Sequence, residues 1–276
     1  MNKSSVKKVV GITVFILIVI LFFYNQNNDI AFSQMKIVSA DLPEEFNGYK
    51  ILQISDLHSK TFGKNKQTLV KKIILENPDV IFVTGDLIDS KNYNTDVCLQ
   101  LCSQMSEIAT VYFVTGNHEA WSNKFDAFEV QLKDAGVKVL RNESEFITLG
   151  NSKILVIGVD DPDFQGYDNM MIRIDELIKP HPETYSIVLS HRPELFTSYA
   201  ERKIDLIFSG HAHGGQIRLP FIGGLVSPNQ GWFPRFTSGI YSSGKTSMIV
   251  SRGLGNSIIP QRLFNKPELV VVTLMK

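Results

Sequence analysis

Five short apolar, β-prone runs in this chain each end in a compact motif of Asp, His, Asn or Gly. Residues 50–55 lead into Asp56-Leu57-His58, and residues 79–84 into Gly85-Asp86. Residues 110–115 lead into Gly116-Asn117-His118-Glu119, residues 185–189 into Ser190-His191, and residues 205–209 into Gly210-His211-Ala212-His213-Gly214-Gly215. Runs of this length and composition predict buried strands. Laid parallel, such strands bring their carboxyl ends to one edge, where open α/β sheets place ligands, so motifs far apart in sequence can converge. Five of the six histidines fall inside these motifs, which points to metal chemistry.

The composition is that of an ordinary globular protein: 276 residues, 43% hydrophobic, with 28 basic and 28 acidic side chains. Zero net charge argues against nucleic acid as the main partner, because binding a phosphate backbone needs a basic surface. Cys98 and Cys102 stand four apart in an expected helix, a poor geometry for a disulfide, and lack the partners of a zinc knuckle. They read as small core or helix-face residues.

At the N-terminus, Lys3, Lys7 and Lys8 precede an uncharged apolar stretch over residues 9–24, after which Asn25 to Asp29 turn the chain polar. The stretch would span about 24 Å as a helix, slightly short of a hydrocarbon core, with Phe22, Phe23 and Tyr24 at its border. It reads as an uncleaved signal-anchor or a cleaved signal peptide, with Ala31-Phe32-Ser33 as a small-x-small site for the second. That site lies well beyond the apolar run, which favours the anchor. Lysines before the segment place the N-terminus in the cytoplasm and the rest of the chain outside. The expected organisation is therefore a single-pass anchor and polar linker over residues 1–35, in the cell membrane, and an extracytoplasmic catalytic domain over 36–276.

Helical patterns cover residues 64–76, 95–107, 123–135, 169–179 and 193–200, and Gly136 stands where a helix C-cap is expected. Residues 137–140, 144–149 and 153–159 read as three strands without intervening helices, and 268–274 as a final strand. This mixture predicts an α/β protein with two packed sheets flanked by helices, not one doubly wound sheet. Nothing in the sequence fixes an oligomeric state.

Asp, His and Asn supply oxygen and nitrogen ligands suited to Mn, Fe or Zn. Asp56 and His58, two apart at a strand end, can reach one ion if the chain turns there; Asp86 is a natural bridging carboxylate, and Asn117 offers a neutral amide oxygen. Two imidazoles in the glycine-rich turn at His211 and His213 are costly in a core and convenient for coordination. The ordered set D-x-H, GD, GNH[ED], a lone H and GHxH resembles the calcineurin-like metallophosphoesterases. The resemblance implies a four-layer fold of two mixed β-sheets between helices, and two divalent metal ions. One would be held by Asp56, His58, Asp86 and His213, and the other by Asp86, Asn117, His191 and His211. It also implies a metal-bridged hydroxide attacking a phosphate in line. His118 follows a ligand yet is not needed to fill either sphere, so it is the candidate catalytic donor to the leaving oxygen. Asp89 and Glu119 fit roles in orienting ligands.

The C-terminal part, with Gly214-Gly215-Gln216, Ser251-Arg252-Gly253-Leu254-Gly255 and residues 262–269, further resembles a membrane-associated branch of bacterial phosphodiesterases and UDP-diacylglucosamine hydrolases. Residues 219–241 carry Phe221, Ile222, Leu225, Trp232, Phe233, Phe236 and Tyr241 between Gly and Pro, as a lid, a lipid-facing rim, or aromatics packing a long loop onto the domain. Arg218, Arg235, Arg252 and Arg262 are candidate phosphate contacts. The expected activity is phosphodiester hydrolysis on a small phosphoester or a lipid-linked, cell-envelope phosphate. A phosphomonoesterase and a non-catalytic membrane-tethered module are the alternatives. His181 stands outside every motif.

Overall fold

The computed structural model describes residues 3–63, 67–257 and 259–276. The chain opens with helix α1 (Lys3–Asn28) and strand β1 (Ala31–Val38), then alternates strands and helices. These are β2 (Lys50–Ile54), α2 (Gln67–Glu76), β3 (Val80–Thr84), α3 (Thr95–Ser106), β4 (Thr110–Val114), α4 (Asn117–Ser122), α5 (Phe125–Asp134) and β5 (Val137–Val139). A second run follows: β6 (Glu143–Leu149), β7 (Ser152–Gly158), α6 (Pro162–Gln165), α7 (Tyr167–Ile178), β8 (Ser186–Leu189), α8 (Phe196–Glu201) and β9 (Leu206–Ser209). Two small hairpins, β10 (Arg218–Leu219) with β11 (Gly223–Gly224) and β12 (Val226–Ser227) with β13 (Gly231–Trp232), precede β14 (Gly239–Ser243), β15 (Thr246–Val250) and β16 (Glu268–Met275).

The strands form two six-stranded sheets, ordered β1-β16-β2-β3-β4-β5 and β14-β15-β9-β8-β7-β6. In the first, β2, β3, β4 and β5 run parallel; in the second, β15, β9, β8 and β7 do. All five motif-bearing strands therefore sit in parallel sets.

Alternation along each strand divides its side chains between two cores, which is why the runs are apolar throughout. From the first sheet, Ile51, Phe82 and Tyr112 face a shared core between the sheets, where they meet Val156, Ile187 and Phe208 of the second. The opposite faces, through Leu52, Ile81 and Val111, pack on Leu69 of α2, Leu101 of α3 and Phe128 of α5. Leu155, Val188 and Ile207 pack on Ile174 of α7 and Tyr199 of α8. The result is the expected helix–sheet–sheet–helix layering. Phe82 and Phe208 make an edge-on contact across the sheets at 5.2 Å, a geometry that ring quadrupoles favour.

Several boundaries differ from the sequence pattern for local reasons. The 123–135 helix begins at Phe125, because Asn123 adopts a left-handed conformation (φ 52°) that closes α4. The run at 137–140 is not part of a three-strand group: β5 follows α5 as a crossover and joins the first sheet beside β4, while β6 and β7 form a hairpin in the second. The pattern at 193–200 divides into a 3-10 turn, Pro193–Leu195, and α8. Residues 64–66 of the 64–76 pattern lie outside the described residues. The first sheet begins at Ala31, inside the stretch expected as linker, because β1 pairs along its whole length with β16.

One buried polar side chain joins the two sheets beneath the motif ends. Gln53 Nε2 donates to Thr84 Oγ1 in the first sheet and to the Ser209 carbonyl in the second, both at 2.9 Å. Replacing Gln53 with Ala removes both bonds from a buried interface and is expected to destabilise the fold by about 1–3 kcal/mol. A denaturant midpoint equal to that of the parent chain would contradict this role.

Candidate metal centre

The motif loops meet where the two sheets come together, and those after β2, β3 and β9 do so through left-handed turns. Asp56 (φ 52°), His58 (49°), Asp86 (51°), His211 (63°) and His213 (46°) all occupy the αL region, which Asp, Asn and His enter more readily than most residues with a Cβ. The turns after β2 and β3 are paired: Asp56 N–H donates to Gly85 O, His58 N–H to Asp86 O and Ser59 N–H to Leu87 O, each at 3.0 Å. The sheet ladder thus continues past the strand ends.

Gly85 shows how little room these turns leave. Its φ is +85°, and a Cβ there would stand 2.6 Å from His191 Nδ1 and 2.8 Å from the Gly116 backbone. Glu119, fully buried, ties two loops by accepting hydrogen bonds from the backbone N–H groups of Asp86 (2.8 Å), Leu87 (2.9 Å), Ile88 (3.2 Å) and Gly116 (2.7 Å). Burial and the nearby Asp86 charge push its carboxyl up to about 7.

Ligand atoms cluster in three groups: Asp56, His58, Asp86 and His213, and Asp86, His191 and His211, all buried, and beside them His58, Asp89 and His118, of which His58 alone is buried. His58 Nε2 lies 3.1 Å from His213 Nε2. His213 Nε2 lies 3.3 Å from Asp56 Oδ1, and His191 Nε2 lies 3.2 Å from Asp86 Oδ2. The Thr84 carbonyl accepts from His191 Nδ1 at 2.7 Å, so Nε2 is the atom that faces the cluster and the one from which a cation would displace a proton. His211 Nε2–H donates to Asn229 Oδ1 at 2.8 Å, freeing its Nδ1.

Two atoms test whether cations fit. His191 Nε2 and Asn117 Oδ1 are buried without a hydrogen-bond partner among the described residues, and such atoms are costly unless something else satisfies them. Both fit as ligands to a hard or borderline divalent ion, and so does the Asp/His donor set around them. All seven sequence-expected ligands, Asp56, His58, Asp86, Asn117, His191, His211 and His213, are brought together.

His118 sits at the rim of a cleft of about 360 Å³ whose walls also include Asn117, Trp121, Asn229 and Ser257. Its backbone N–H donates to Asp86 Oδ1 at 2.8 Å, and its Nδ1 accepts from Ser90 N–H at 3.1 Å. Asp89 is close to both His58 and His118, at 3.9 and 4.0 Å.

The four arginines proposed for phosphate are engaged elsewhere. Arg262 is buried and donates to the carbonyls of Gly255, Arg252 and Asn265. Arg252 pairs with Glu268, Arg218 donates to Gly214 O and Thr237 Oγ1, and Arg235 lies over the Phe236 ring. The arginine that reaches the centre is Arg192, held by Asp161 at 2.6 and 2.7 Å and placed with Nη1 3.0 Å from His211 Nε2. Arg192 and His211 share the Asn229 oxygen. Adjacency to His191 was the only sequence signal for Arg192, and Asn229 had none. His181 packs on Phe146, away from the cleft.

Two outcomes follow from this geometry. Gly85→Ala is expected to abolish stoichiometric metal loading, read by elemental analysis of the purified protein; full loading would show that the loop can yield. Burial lowers the His191 pKa, but Asp86 and Asp56 outweigh it and raise it to about 10, so near pH 7 a metal must displace its proton. Binding of Mn²⁺ or Zn²⁺ is therefore expected to release about one proton there and to weaken as pH falls. Calorimetric titration in buffers of different ionisation heat measures this, and a buffer-independent heat would show His191 already neutral.

A family model described as calcineurin-like phosphoesterase matches residues 49–215. An uncharacterized metallophosphoesterase, YkuE of Bacillus subtilis, is 30% identical over 261 residues, 91% of this chain and 87% of the relative. The phosphodiesterase YaeI of Escherichia coli is 27% identical over 238 residues, 82% of each chain. A transmembrane protein with metallophosphoesterase domain from Danio rerio is 27% identical over 245 residues, 84% of this chain and 54% of the relative. With five motifs in order on two parallel strand sets and an Asp/His cluster where they meet, the chain belongs to the calcineurin-like phosphoesterases, metal-dependent hydrolases of phosphoester bonds.

Proposed function

We propose that this protein is a membrane-anchored phosphodiesterase with two divalent ions. Asp56, His58, Asp86 and His213 hold one, Asp86, Asn117, His191 and His211 hold the other, and His118 donates to the leaving oxygen. When bound, the ions supply an activated water and neutralise phosphate charge. The observation that carries the role of His118 is the bond from Ser90 N–H to its Nδ1 at 3.1 Å. An N–H can only donate, so the imidazole carries its own hydrogen on Nε2, the atom left to serve a leaving group. Trp121 packs against the ring at 5.1 Å and limits its rotation.

A diester fits better than a monoester, and the Escherichia coli relative is named for that activity. Among the described residues lining the cleft, Lys91 is the one lysine or arginine, a better match for a singly charged diester than for a dianionic monoester. The anchor reading is supported by α1, which is long and apolar enough to cross a bilayer and is not buried against the domain. Cleavage after Ser33 would remove the first three residues of β1, whose pairing with β16 begins at Ala31↔Glu268. The lysines preceding the helix favour an extracytoplasmic domain.

The decisive assay compares bis(p-nitrophenyl) phosphate with p-nitrophenyl phosphate in Mn²⁺, with a chelator control. Faster diester turnover abolished by chelation is expected; a metal-independent rate or a monoester preference would overturn the reading. His118→Ala should keep its metal content while kcat falls about 10²–10⁴-fold. Asp86→Asn should instead lose metal. An empty His118→Ala variant would move His118 into the ligand set.

A further inference from the structure

The stretch expected as a polar linker is a fixed joint. α1 continues through Asn28, and Asn27 donates through Nδ2 to Pro260 O at 3.0 Å and accepts from Arg262 N–H at 2.8 Å. Lys60 Nζ donates to Asn27 O at 2.6 Å, Gln261 Nε2 to Phe23 O at 3.1 Å, and Lys266 pairs with Asp29 at 2.7 Å. The neighbouring Ser257 lines the metal cleft. A helix held this way fixes how the cleft stands relative to any membrane it enters.

Depth follows from one aromatic contact. Phe22 lies two residues inside the apolar end at Tyr24, about 3 Å along the helix axis, and its ring meets Phe264 at 5.9 Å. Phe264 is therefore level with the end of the membrane-crossing stretch, and it is half exposed.

Backbone bonds lead from Phe264 to the aromatic segment. Its neighbour Leu263 bridges to Ile217 at the start of the β10–β11 hairpin; Leu225 N–H donates to Ile217 O at 2.8 Å, and Phe233 N–H to Leu225 O at 2.9 Å. Phe221 is fully exposed, with Ile222 at 62%, Trp232 at 70% and Phe233 at 63%. No charged residue occurs from Leu219 to Pro234, or from Gly253 to Gln261. The same loop carries Pro228 and Asn229 into the cleft wall.

We propose that Phe221, Ile222, Trp232, Phe233 and Phe264 form a second membrane contact, seated in the headgroup region of the bilayer that α1 crosses, so that the metal cleft opens beside the lipid surface. Exposed aromatics on a stretch free of charge from Leu219 to Pro234 suit that interface, where amphipathic rings concentrate, and exposed apolar side chains grouped on one loop mark an interaction site. The proposal rests on the anchor reading above.

The chain has two tryptophans, Trp121 and Trp232, which gives a direct test. Full-length Trp121→Phe protein is reconstituted into phosphatidylcholine vesicles, with or without bromine on the upper acyl chain, and vesicle association is checked by flotation after carbonate wash. Trp232 emission is expected to fall about two-fold or more in brominated vesicles, consistent with interfacial depth. The Phe221→Ser/Phe233→Ser variant should float equally but lose most of that quenching. Flotation with unquenched Trp232 overturns the rim and leaves the anchor standing; loss on carbonate wash overturns the anchor and the rim with it. Quenching replaced by cross-linking between copies through the rim segment would identify a second chain as the occupant and also overturn the proposal.

Discussion

The left-handed turns after β2, β3 and β9 are the constraint on which the rest of the structure depends. A strand ending in ordinary extended backbone would carry its next side chains past the sheet edge, whereas the αL residues at 56, 58, 86, 211 and 213 turn them back over it. Such conformations cost on the order of 1–3 kcal/mol each for residues with a Cβ, less for Asp and His. They persist because neighbours over-determine them. The paired loops after β2 and β3, the closed space at Gly85 and the four backbone bonds to Glu119 each hold the reversals in place.

This arrangement explains why the centre needs two sheets. The first supplies Asp56, His58, Asp86 and Asn117; the second supplies His191, His211 and His213. Neither set fills both candidate ion sites alone, so the distance between the sheets sets the distance between ligands. The aromatic pair Phe82–Phe208 and the Gln53 bridge fix that spacing from below, and His191 Nδ1 on Thr84 O fixes it at the level of the ligands. A further line of bonds, Asp161 to Arg192 to Asn229 to His211, ties the long C-terminal loop to the centre. The loop that walls the cleft therefore also orients one of its imidazoles. The same logic extends to the N-terminus, where β1 and the Asn27 joint make α1 continuous with the folded domain instead of a tether.

Much of this was legible in the residues. Unbroken apolar runs such as Val80–Thr84 announced strands buried on both faces, and the Asp/His/Asn motifs at their ends announced the site. What escaped was set by contacts distant in sequence. The run at 137–140 looked like its two successors, but the crossover through α5 sent it to the other sheet. Arg262, a candidate phosphate contact by charge, is instead consumed by three backbone carbonyls, whereas Arg192 and Asn229, unremarkable as residue types, reach the centre.

The sequence by itself determined the fold class, the Asp, His and Asn donor types of the candidate centre and the apolar N-terminal helix, because periodicity, motif chemistry and hydrophobic length are local properties. Only the tertiary structure decided which arginine approaches the metal cleft, which tautomer His118 carries, and that Asn25 to Asn28 continue the helix into a joint. Each of those depends on a partner that is distant in sequence or a backbone N–H aimed by a turn: Asp161 for Arg192, Ser90 for His118, Arg262 for Asn27. Such partners meet only once the neighbouring strands that carry them have paired.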